Sequence, residues 1–313
     1  MQLFFGVNME NHFTYQNCHL CPNACGVDRT KGERGKCKMT TEMVVARASL
    51  HLWEEQPISG TKGSGTIFFS GCPMRCIYCQ NHDISQKGKG IPLTESELTE
   101  CILRLEKAGA HNLNLVTATH FLPTIIPAIL EAKRRGFSLP VVYNTSGFEN
   151  VETIFGLKDI VDIYLTDLRY TNEKTARDLS FVPNYPEVAK NAISAMFEMV
   201  GKPQFSPEGL MTRGVIVRLL LLPGHLIEAK QALRYLYQTY GDDIYLSLMS
   251  QYTPFSGLPS PLDRPVTAHE YKSFVQQAQS LGITRAFVQE SSAATKDFIP
   301  SFDDVGFLPH KKI

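Results

Sequence analysis

Three closely spaced cysteines limit what this chain can fold into and do. Cys72, Cys76 and Cys79 follow a C-x3-C-x2-C spacing, and no fourth cysteine lies near them. Three thiolates this close can bind three irons of a 4Fe–4S cluster and leave the fourth iron without a protein ligand. Such an iron is open to another molecule. The alternative is a structural zinc site, which would need a fourth ligand such as His82.

Four further cysteines form a second group near the N-terminus, at Cys18, Cys21, Cys25 and Cys37. Four thiolates suit a closed tetrathiolate site that holds either structural zinc or a second iron–sulfur cluster. The spacing does not separate these two metals. The eighth cysteine, Cys101, lies on the apolar face of a predicted helix, where we interpret it as a small core residue.

The composition of the chain indicates its cellular compartment and the kinds of molecule that it binds. The N-terminus lacks the basic head of a secretory signal, and no apolar run approaches the roughly 20 residues that span a bilayer. We therefore expect a cytoplasmic protein with no membrane partner, in which clustered cysteines are metal ligands rather than disulfides. The 31 basic and 31 acidic residues cancel, and no basic stripe stands out. Nucleic acid is therefore disfavoured as a partner.

Beyond residue 65 the chain alternates between strand-like and helix-like segments. This pattern predicts six βα units and a final strand, and hence parallel strands. Capping boxes at Thr94 and Thr267 mark two of the helix starts. A full eight-unit barrel needs roughly 250 residues, so we predict an α/β fold built as a partial (β/α)6 TIM-type barrel. An open doubly wound sheet is the alternative. The predicted strands span 66–70, 113–116, 141–143, 161–166, 214–222, 244–249 and 285–288.

These features divide the chain into three parts. Residues 1–50 form a small cysteine-rich, metal-binding extension, residues 51–290 form the barrel, and residues 291–313 form a C-terminal tail. In both candidate folds, ligands gather at the carboxyl ends of the strands. The cysteine triad follows the first predicted strand, at that end. Polar clusters follow later strands at residues 117–120, 144–147, 167–169, 223–225 and 250–252.

The segment GCPMRCIYCQNHD (71–83), after the first strand of such a repeat, resembles the radical S-adenosylmethionine (radical SAM) enzymes. More narrowly, residues 51–86 and the cysteine block at 18–37 resemble the pyruvate formate-lyase-activating-enzyme-like group of that superfamily. The resemblance implies that the fourth iron binds the amino and carboxylate groups of S-adenosylmethionine. It also implies reductive cleavage to a 5′-deoxyadenosyl radical, which abstracts hydrogen from a substrate under anaerobic conditions. The electron would come from a low-potential donor such as flavodoxin or ferredoxin.

The resemblance also implies cofactor-binding residues. Tyr78 matches the aromatic residue that these enzymes place near the adenine. The segments at 144–147 and 167–169 match the Asp-Thr-Asn-Gly and Asp-Leu-Lys segments of glycyl-radical activases. The usual Gly-Gly-Glu after the second strand is missing, so threonine hydroxyls, main-chain carbonyls or His120 must hold the methionine amino group. The candidate set is Tyr78, Thr117, Thr119, His120, Asn144, Thr145, Asp167, Arg169 and Arg218.

Several alternatives remain open at this stage. Asp167 and Arg169 could form an exposed rim pair, and Arg218 within an apolar strand needs a partner, in a structural ion pair or in the pocket. Residues 53–55 could form a lid, a partner contact or a solvated segment, while His225 fits a solvated loop. The substrate is either a protein that receives a glycyl radical, or a small molecule or another peptide. A hypothesis of another class is a non-catalytic, zinc-stabilised binding module.

Overall fold

The computed structural model describes residues 12–289, 302 and 304–309. The N-terminal residues used in the compartment argument, and Asp303 of the tail, lie outside these ranges. Ten strands are present in the described part of the chain. They are β1 (Met43–His51), β2 (Ser64–Phe69), β3 (Ile91–Leu93), β4 (Leu113–Val116), β5 (Val141–Thr145), β6 (Ile163–Asp167), β7 (Gln204–Phe205), β8 (Met211–Leu220), β9 (Tyr245–Met249) and β10 (Ala286–Val288).

Helices connect most of these strands. They are α1 (Gln56–Ser59), α2 (His82–Ser85), α3 (Glu95–Lys107), α4 (Leu122–Arg134), α5 (Val151–Gly156), α6 (Glu173–Ser180), α7 (Tyr185–Val200), α8 (Leu226–Tyr240) and α9 (Ala268–Ser280). The predicted capping boxes begin α3 at Thr94 and α9 at Thr267, in each case with both reciprocal hydrogen bonds. None of the described helices is long and apolar enough to cross a membrane.

The strand order identifies the fold class. Strands β2, β4, β5, β6, β8, β9 and β10 are parallel neighbours in that spatial order. A doubly wound sheet would reverse direction at a switch point, whereas here the spatial order follows the chain order from β2 to β10. The six βα units and the final strand are therefore confirmed as a mostly parallel sheet of the partial TIM-barrel type.

The two faces of the sheet differ in polarity. On the outer face, Ile67, Leu115 and Val217 pack in one core with apolar residues of the helices. Cys101 of α3 is buried in this same core. On the inner face, Val142, Leu165 and Ile216 belong to a second, smaller apolar core. Side chains on one face alternate with those on the other along each strand, and on the inner face polar side chains such as Asn144 and Asp167 follow at the carboxyl ends of the strands.

Two antiparallel strands extend the sheet beyond β2. β1 pairs with β2, with Ser49 opposite Thr66, and β3 pairs with the start of β1. The division expected at residue 50 therefore falls within β1. Part of the tail packs beside this strand, because Phe307 N–H donates to the carbonyl of Ala48 at 2.7 Å. Phe302 meets Phe68 edge-on, at 5.6 Å between ring centroids.

Candidate functional site

A cavity of about 240 Å³ opens at the carboxyl ends of the strands. Its wall is made by the cysteine loop after β2 and by the ends of β4, β5, β6 and β8. The cavity brings together all three cysteines of the triad and seven of the nine predicted cofactor-binding residues. These residues are Cys72, Cys76, Cys79, Tyr78, Thr117, Asn144, Thr145, Asp167, Arg169 and Arg218.

The triad sulfurs lie among hydrogen-bond donors. Ser180 donates its hydroxyl to Sγ of Cys76 at 3.0 Å, Arg169 donates Nη1 to the same sulfur at 3.3 Å, and Ser85 donates to Sγ of Cys79 at 3.3 Å. Burial raises the pKa of Cys72 to about 12 and also raises the pKa of Cys79. The negative charge of each thiolate must therefore be neutralised, either by a proton or by a bound metal. Donors aimed at buried sulfur fit the thiolate ligands of an iron–sulfur cluster.

The loop between Cys72 and Cys79 is held from both sides. Ile77 N–H donates to the carbonyl of Leu179 at 2.9 Å, and Gln86 donates its side-chain amide to the carbonyl of Cys76 at 2.9 Å. Gly71 has a φ of 83°, and a Cβ there would lie 2.5 Å from Cγ of Met39. A glycine is therefore required where the loop begins, and the cysteines stand on a braced segment.

Asp167, the last residue of β6, forms an ion pair with Arg169 through a single carboxylate oxygen. Oδ2 of Asp167 lies 2.6 Å from Nη2 and 2.8 Å from Nε of Arg169. The two side chains are 19% and 25% exposed, so this is not the solvated rim pair considered from the sequence. Because Nη1 of Arg169 also reaches Cys76, the pair places a positive charge beside a triad sulfur.

Tyr78 belongs to a chain of hydroxyl groups that ends at the triad. Its hydroxyl lies 2.6 Å from that of Tyr170, which in turn lies 2.6 Å from Oγ of Ser180, the donor to Cys76. Burial raises the pKa of Tyr78, so the phenol stays neutral. Its ring meets that of Tyr252 edge-on, with 6.3 Å between ring centroids. The residue thus forms a rigid neutral wall of the cavity.

Arg218 is both ion-paired and part of the cavity wall. It binds Glu55 through Nε at 2.8 Å and Nη2 at 2.7 Å, and Nη2 also contacts Glu54. The two glutamate side chains are 6% and 5% exposed. The solvated interpretation of these acids is therefore wrong, whereas Trp53 beside them is 54% exposed.

Comparison with known proteins assigns the superfamily. The family described as the radical SAM superfamily matches residues 66–236, more than half of the chain. The chain belongs to the radical SAM superfamily. It is 28% identical over 278 residues to an uncharacterised protein of Methanocaldococcus jannaschii, covering 86% of this chain and 76% of that protein.

A solved structure of a radical SAM protein shares the fold. A radical SAM methyltransferase from Sphaerobacter thermophilus has a TM-score of 0.51 at 20% identity, over 74% of this chain and 67% of that one. SuiB of Streptococcus suis, solved with bound S-adenosylmethionine, has a TM-score of 0.48 at 11% identity. The match covers 74% of this chain but only 52% of SuiB.

Two predicted residues lie outside the cavity of this radical SAM protein. Thr119 donates its hydroxyl to Glu149 at 2.7 Å, and Nε2 of His120 lies 2.7 Å from the carbonyl of Ser70. Both are 2% exposed and absent from the cavity wall. Thr117 has a φ of 60°, and the 3₁₀ turn after it directs the chain toward the helices. The expected cofactor-binding role of Thr119 and His120 is corrected accordingly.

Other residues around the triad were not found from the sequence. Tyr170 and Ser180 precede and end α6, a helix that the sequence pattern did not predict, and so carried no signal. Glu149 is buried among the hydroxyls of Thr119 and Thr145, and burial raises its pKa to about 7. No sequence signal pointed to this contact, because residues 146–150 form an irregular loop between β5 and α5.

Two histidines are engaged away from the triad. His82 lies 3.0 Å from Asp83 and stacks on Phe255, and it is absent from the cavity wall. It is therefore not oriented as a fourth ligand of the triad. His225, which we interpreted as a solvated loop residue, is half-buried and lies 3.5 Å from Glu228.

The N-terminal cysteines pack against the triad loop. Asn23 donates its side-chain amide to Sγ of Cys21 at 3.6 Å and to the carbonyl of Pro73 at 3.0 Å. Lys36 N–H donates to Sγ of Cys25 at 3.3 Å. In the ranges that the structure describes, no three His, Cys, Asp or Glu side chains are arranged to hold a single metal ion. The N-terminal metal site therefore stays a prediction.

Proposed function

We propose that this protein binds a 4Fe–4S cluster at Cys72, Cys76 and Cys79 and S-adenosylmethionine in the cavity beside it. The observation that carries the proposal is the set of three thiols that line one cavity, two of them accepting hydrogen bonds at sulfur. When bound, the two cofactors supply one-electron cleavage of a sulfonium bond and a 5′-deoxyadenosyl radical that abstracts hydrogen from a substrate.

The surrounding residues would position and shield this chemistry. Thr117, Asn144 and Thr145 line the cavity at the ends of β4 and β5, where Thr117 and Asn144 offer a hydroxyl and an amide group. Asp167 offers a carboxylate whose charge Arg169 balances. The buried ring of Tyr78 closes the wall nearest the triad and limits the access of water. The chain thus holds and orients the reactants, and the cofactors supply the reaction.

The electron would come from a low-potential carrier such as flavodoxin or ferredoxin. For the substrate, we infer a glycine of a glycyl-radical enzyme from the activase-like segments at 144–147 and 167–169, which both line the cavity. A small molecule or another peptide is the second candidate. A non-catalytic zinc module is disfavoured, because His82 contacts Asp83 and Phe255 instead of the triad.

Anaerobic reconstitution with iron and sulfide tests the proposal. We expect a reducible cluster absorbance in the visible range and release of 5′-deoxyadenosine when dithionite and S-adenosylmethionine are added. The variant Cys76→Ala should lose both signals. Cys101→Ala is the matched control, since Cys101 is a buried cysteine of the helical core, and it should keep both. Equal product release by Cys76→Ala and wild type would contradict the mechanism.

Two further measurements address the remaining choices. Metal analysis of Cys21→Ser would show whether zinc or iron is lost from the N-terminal group, and so which of the two metals it holds. Incubation with a glycyl-radical enzyme encoded beside this gene should give a protein-based glycyl radical signal if the protein is an activase. Deoxyadenosine release without that signal would favour the small-molecule or peptide alternative.

A further inference from the structure

Three hydroxyl groups form a chain behind the cavity wall that ends at one triad sulfur. Oη of Tyr78 lies 2.6 Å from Oη of Tyr170, which lies 2.6 Å from Oγ of Ser180. Oγ of Ser180 in turn lies 3.0 Å from Sγ of Cys76. The three hydroxyl-bearing residues are at most 3% exposed, so each hydroxyl has to find its partner within the protein.

A thiolate at Cys76 fixes the direction of every hydrogen bond in this chain. Each hydroxyl has one proton to donate, whereas a thiolate can only accept. Ser180 gives its proton to the sulfur and must therefore accept the proton of Tyr170. Tyr170 then has no proton left for Tyr78 and must accept from it. All three bonds point toward Cys76, and hydrogen bonds aligned in this way polarise one another.

The end of α6 directs Ser180 at the sulfur. The carbonyl of Leu179 accepts from Ile77 N–H of the triad loop at 2.9 Å, and Phe181 ends the helix with a φ of 58°. This left-handed conformation is disfavoured for a bulky side chain. A serine in a helix can return its proton to the carbonyl four residues before it, but Ser180 donates to Cys76, 104 residues away. The backbone around Ser180 thus holds it at the triad independently of its hydroxyl group.

Cys76 accepts hydrogen bonds from two different side chains. Besides Ser180, Nη1 of Arg169 donates to its sulfur at 3.3 Å, and Ser85 donates to Cys79 at 3.3 Å. Hydrogen bonds to ligand sulfurs help to set the reduction potential of an iron–sulfur cluster. They favour the reduced state, because that state places more negative charge on the sulfurs.

We propose that Tyr170 and Ser180 are positioning residues that raise the reduction potential of the cluster through Cys76. This inference rests on the proposed function, because it requires the cluster at the triad. The step concerned is the transfer of one electron from a reductant to the cluster, in which no bond of the chain breaks and no proton leaves it. Ser180 acts on the sulfur directly, and Tyr170 acts by polarising the hydroxyl of Ser180.

A redox titration of the anaerobically reconstituted protein with dithionite, followed by electron paramagnetic resonance, tests this inference. Ser180→Ala should lower the equilibrium constant for reduction roughly tenfold, which is about 59 mV for a one-electron couple. Tyr170→Phe removes a single hydroxyl and should lower this constant about twofold, because it weakens the bond from Ser180 without removing it. Tyr164→Phe is the matched control. Its hydroxyl is equally buried but lies 3.4 Å from the carbonyl of Ile154, and the potential should stay at the wild-type value.

A double-mutant cycle separates the hydroxyl chain from a general effect of polarity. In a Ser85→Ala background, which lacks the donor to Cys79, Tyr170→Phe should shift the potential as it does in the wild type. In a Ser180→Ala background it should have no effect, because the chain no longer reaches Cys76.

Each outcome decides for or against the inference. An unchanged potential in Tyr170→Phe would overturn it, whether or not Ser180→Ala folds. So would equal shifts by Tyr170→Phe in the Ser85→Ala and Ser180→Ala backgrounds, which would assign the effect to local polarity. In both cases a reducible wild-type cluster would leave the proposed function standing. The absence of a reducible cluster in the wild type would overturn the proposed function, and this inference with it.

Discussion

Nη1 of Arg169 lies 3.3 Å from Sγ of Cys76, while Nε and Nη2 of the same guanidinium bind Asp167. One side chain thereby connects a triad sulfur to a carboxylate on the cavity wall. Hydrogen bonds and positive charge at ligand sulfurs stabilise the reduced form of an iron–sulfur cluster. The contact therefore bears on the reduction potential of the cluster that we propose here.

Replacing Arg169 by methionine should make that potential more negative. The substitution removes both the donor and the charge at Cys76, and we expect a shift on the order of 50 mV, near a tenfold change for a one-electron couple. An anaerobic redox titration followed by electron paramagnetic resonance measures it. Arg134→Met is the control, because Arg134 pairs with Glu131 on the surface. An unaltered potential in Arg169→Met would show that the contact has no electronic effect.

The sequence located the triad, the parallel strands and most of the cavity wall, because strand ends and cysteine spacing are local patterns. It failed at Thr119 and His120, since the positive φ of Thr117 that turns them away is not encoded in a threonine. It also missed the ion pairs of Arg218 with the two glutamates. Glu54 and Glu55 lie more than 160 residues from Arg218, and pairing over that separation depends on how the barrel closes.

Gly147 tests the link between backbone shape and the cofactor wall. Its φ is 79°, and a Cβ there would lie 2.4 Å from the carbonyl oxygen of Asp167. Gly147→Ala should therefore displace Asp167, lower stability by more than about 2 kcal/mol and weaken the binding of S-adenosylmethionine. Urea unfolding and equilibrium dialysis measure the two effects.

The control for Gly147 is another glycine with a positive φ. Gly32 lies in the left-handed region, with a φ of 83° and a ψ of 4°, but a Cβ at this position would have no neighbouring atom within 4 Å. Gly32→Ala bears the left-handed strain alone, about 1 kcal/mol, and should leave cofactor binding unchanged. Equal losses in both variants would indicate that the contact with Asp167 does not matter.

His120 should make the folded state sensitive to acid. Burial lowers its pKa to about 3, against an ordinary value of 6.5. Below pH 6.5 the unfolded chain binds a proton that the folded protein does not, so stability is fully present above pH 6.5 and falls as the pH decreases toward 3. Between pH 6.5 and pH 3, the free energy of unfolding should fall by at most about 5 kcal/mol through His120.

Urea unfolding between pH 4.5 and 7.5 measures how the free energy of unfolding depends on pH in the wild type and in histidine variants. His120→Asn should flatten the pH dependence relative to wild type, because the titrating group is gone. His269→Asn, at an exposed position, should follow the wild-type curve. Parallel curves for wild type and His120→Asn would mean that His120 is not the buried neutral group described here.

Removing Arg218 should lower the free energy of unfolding far more than removing an exposed arginine. Arg218→Met would leave Glu54 and Glu55 buried without their cation. The free energy of unfolding should fall by about 3–5 kcal/mol as a result. Arg134→Met, in an exposed pair, should leave the free energy of unfolding nearly unchanged. Adding Glu55→Gln to Arg218→Met should recover part of the loss, since one of the uncompensated charges disappears. If the double variant were less stable than Arg218→Met, the uncompensated charge of the two glutamates would not be the cause.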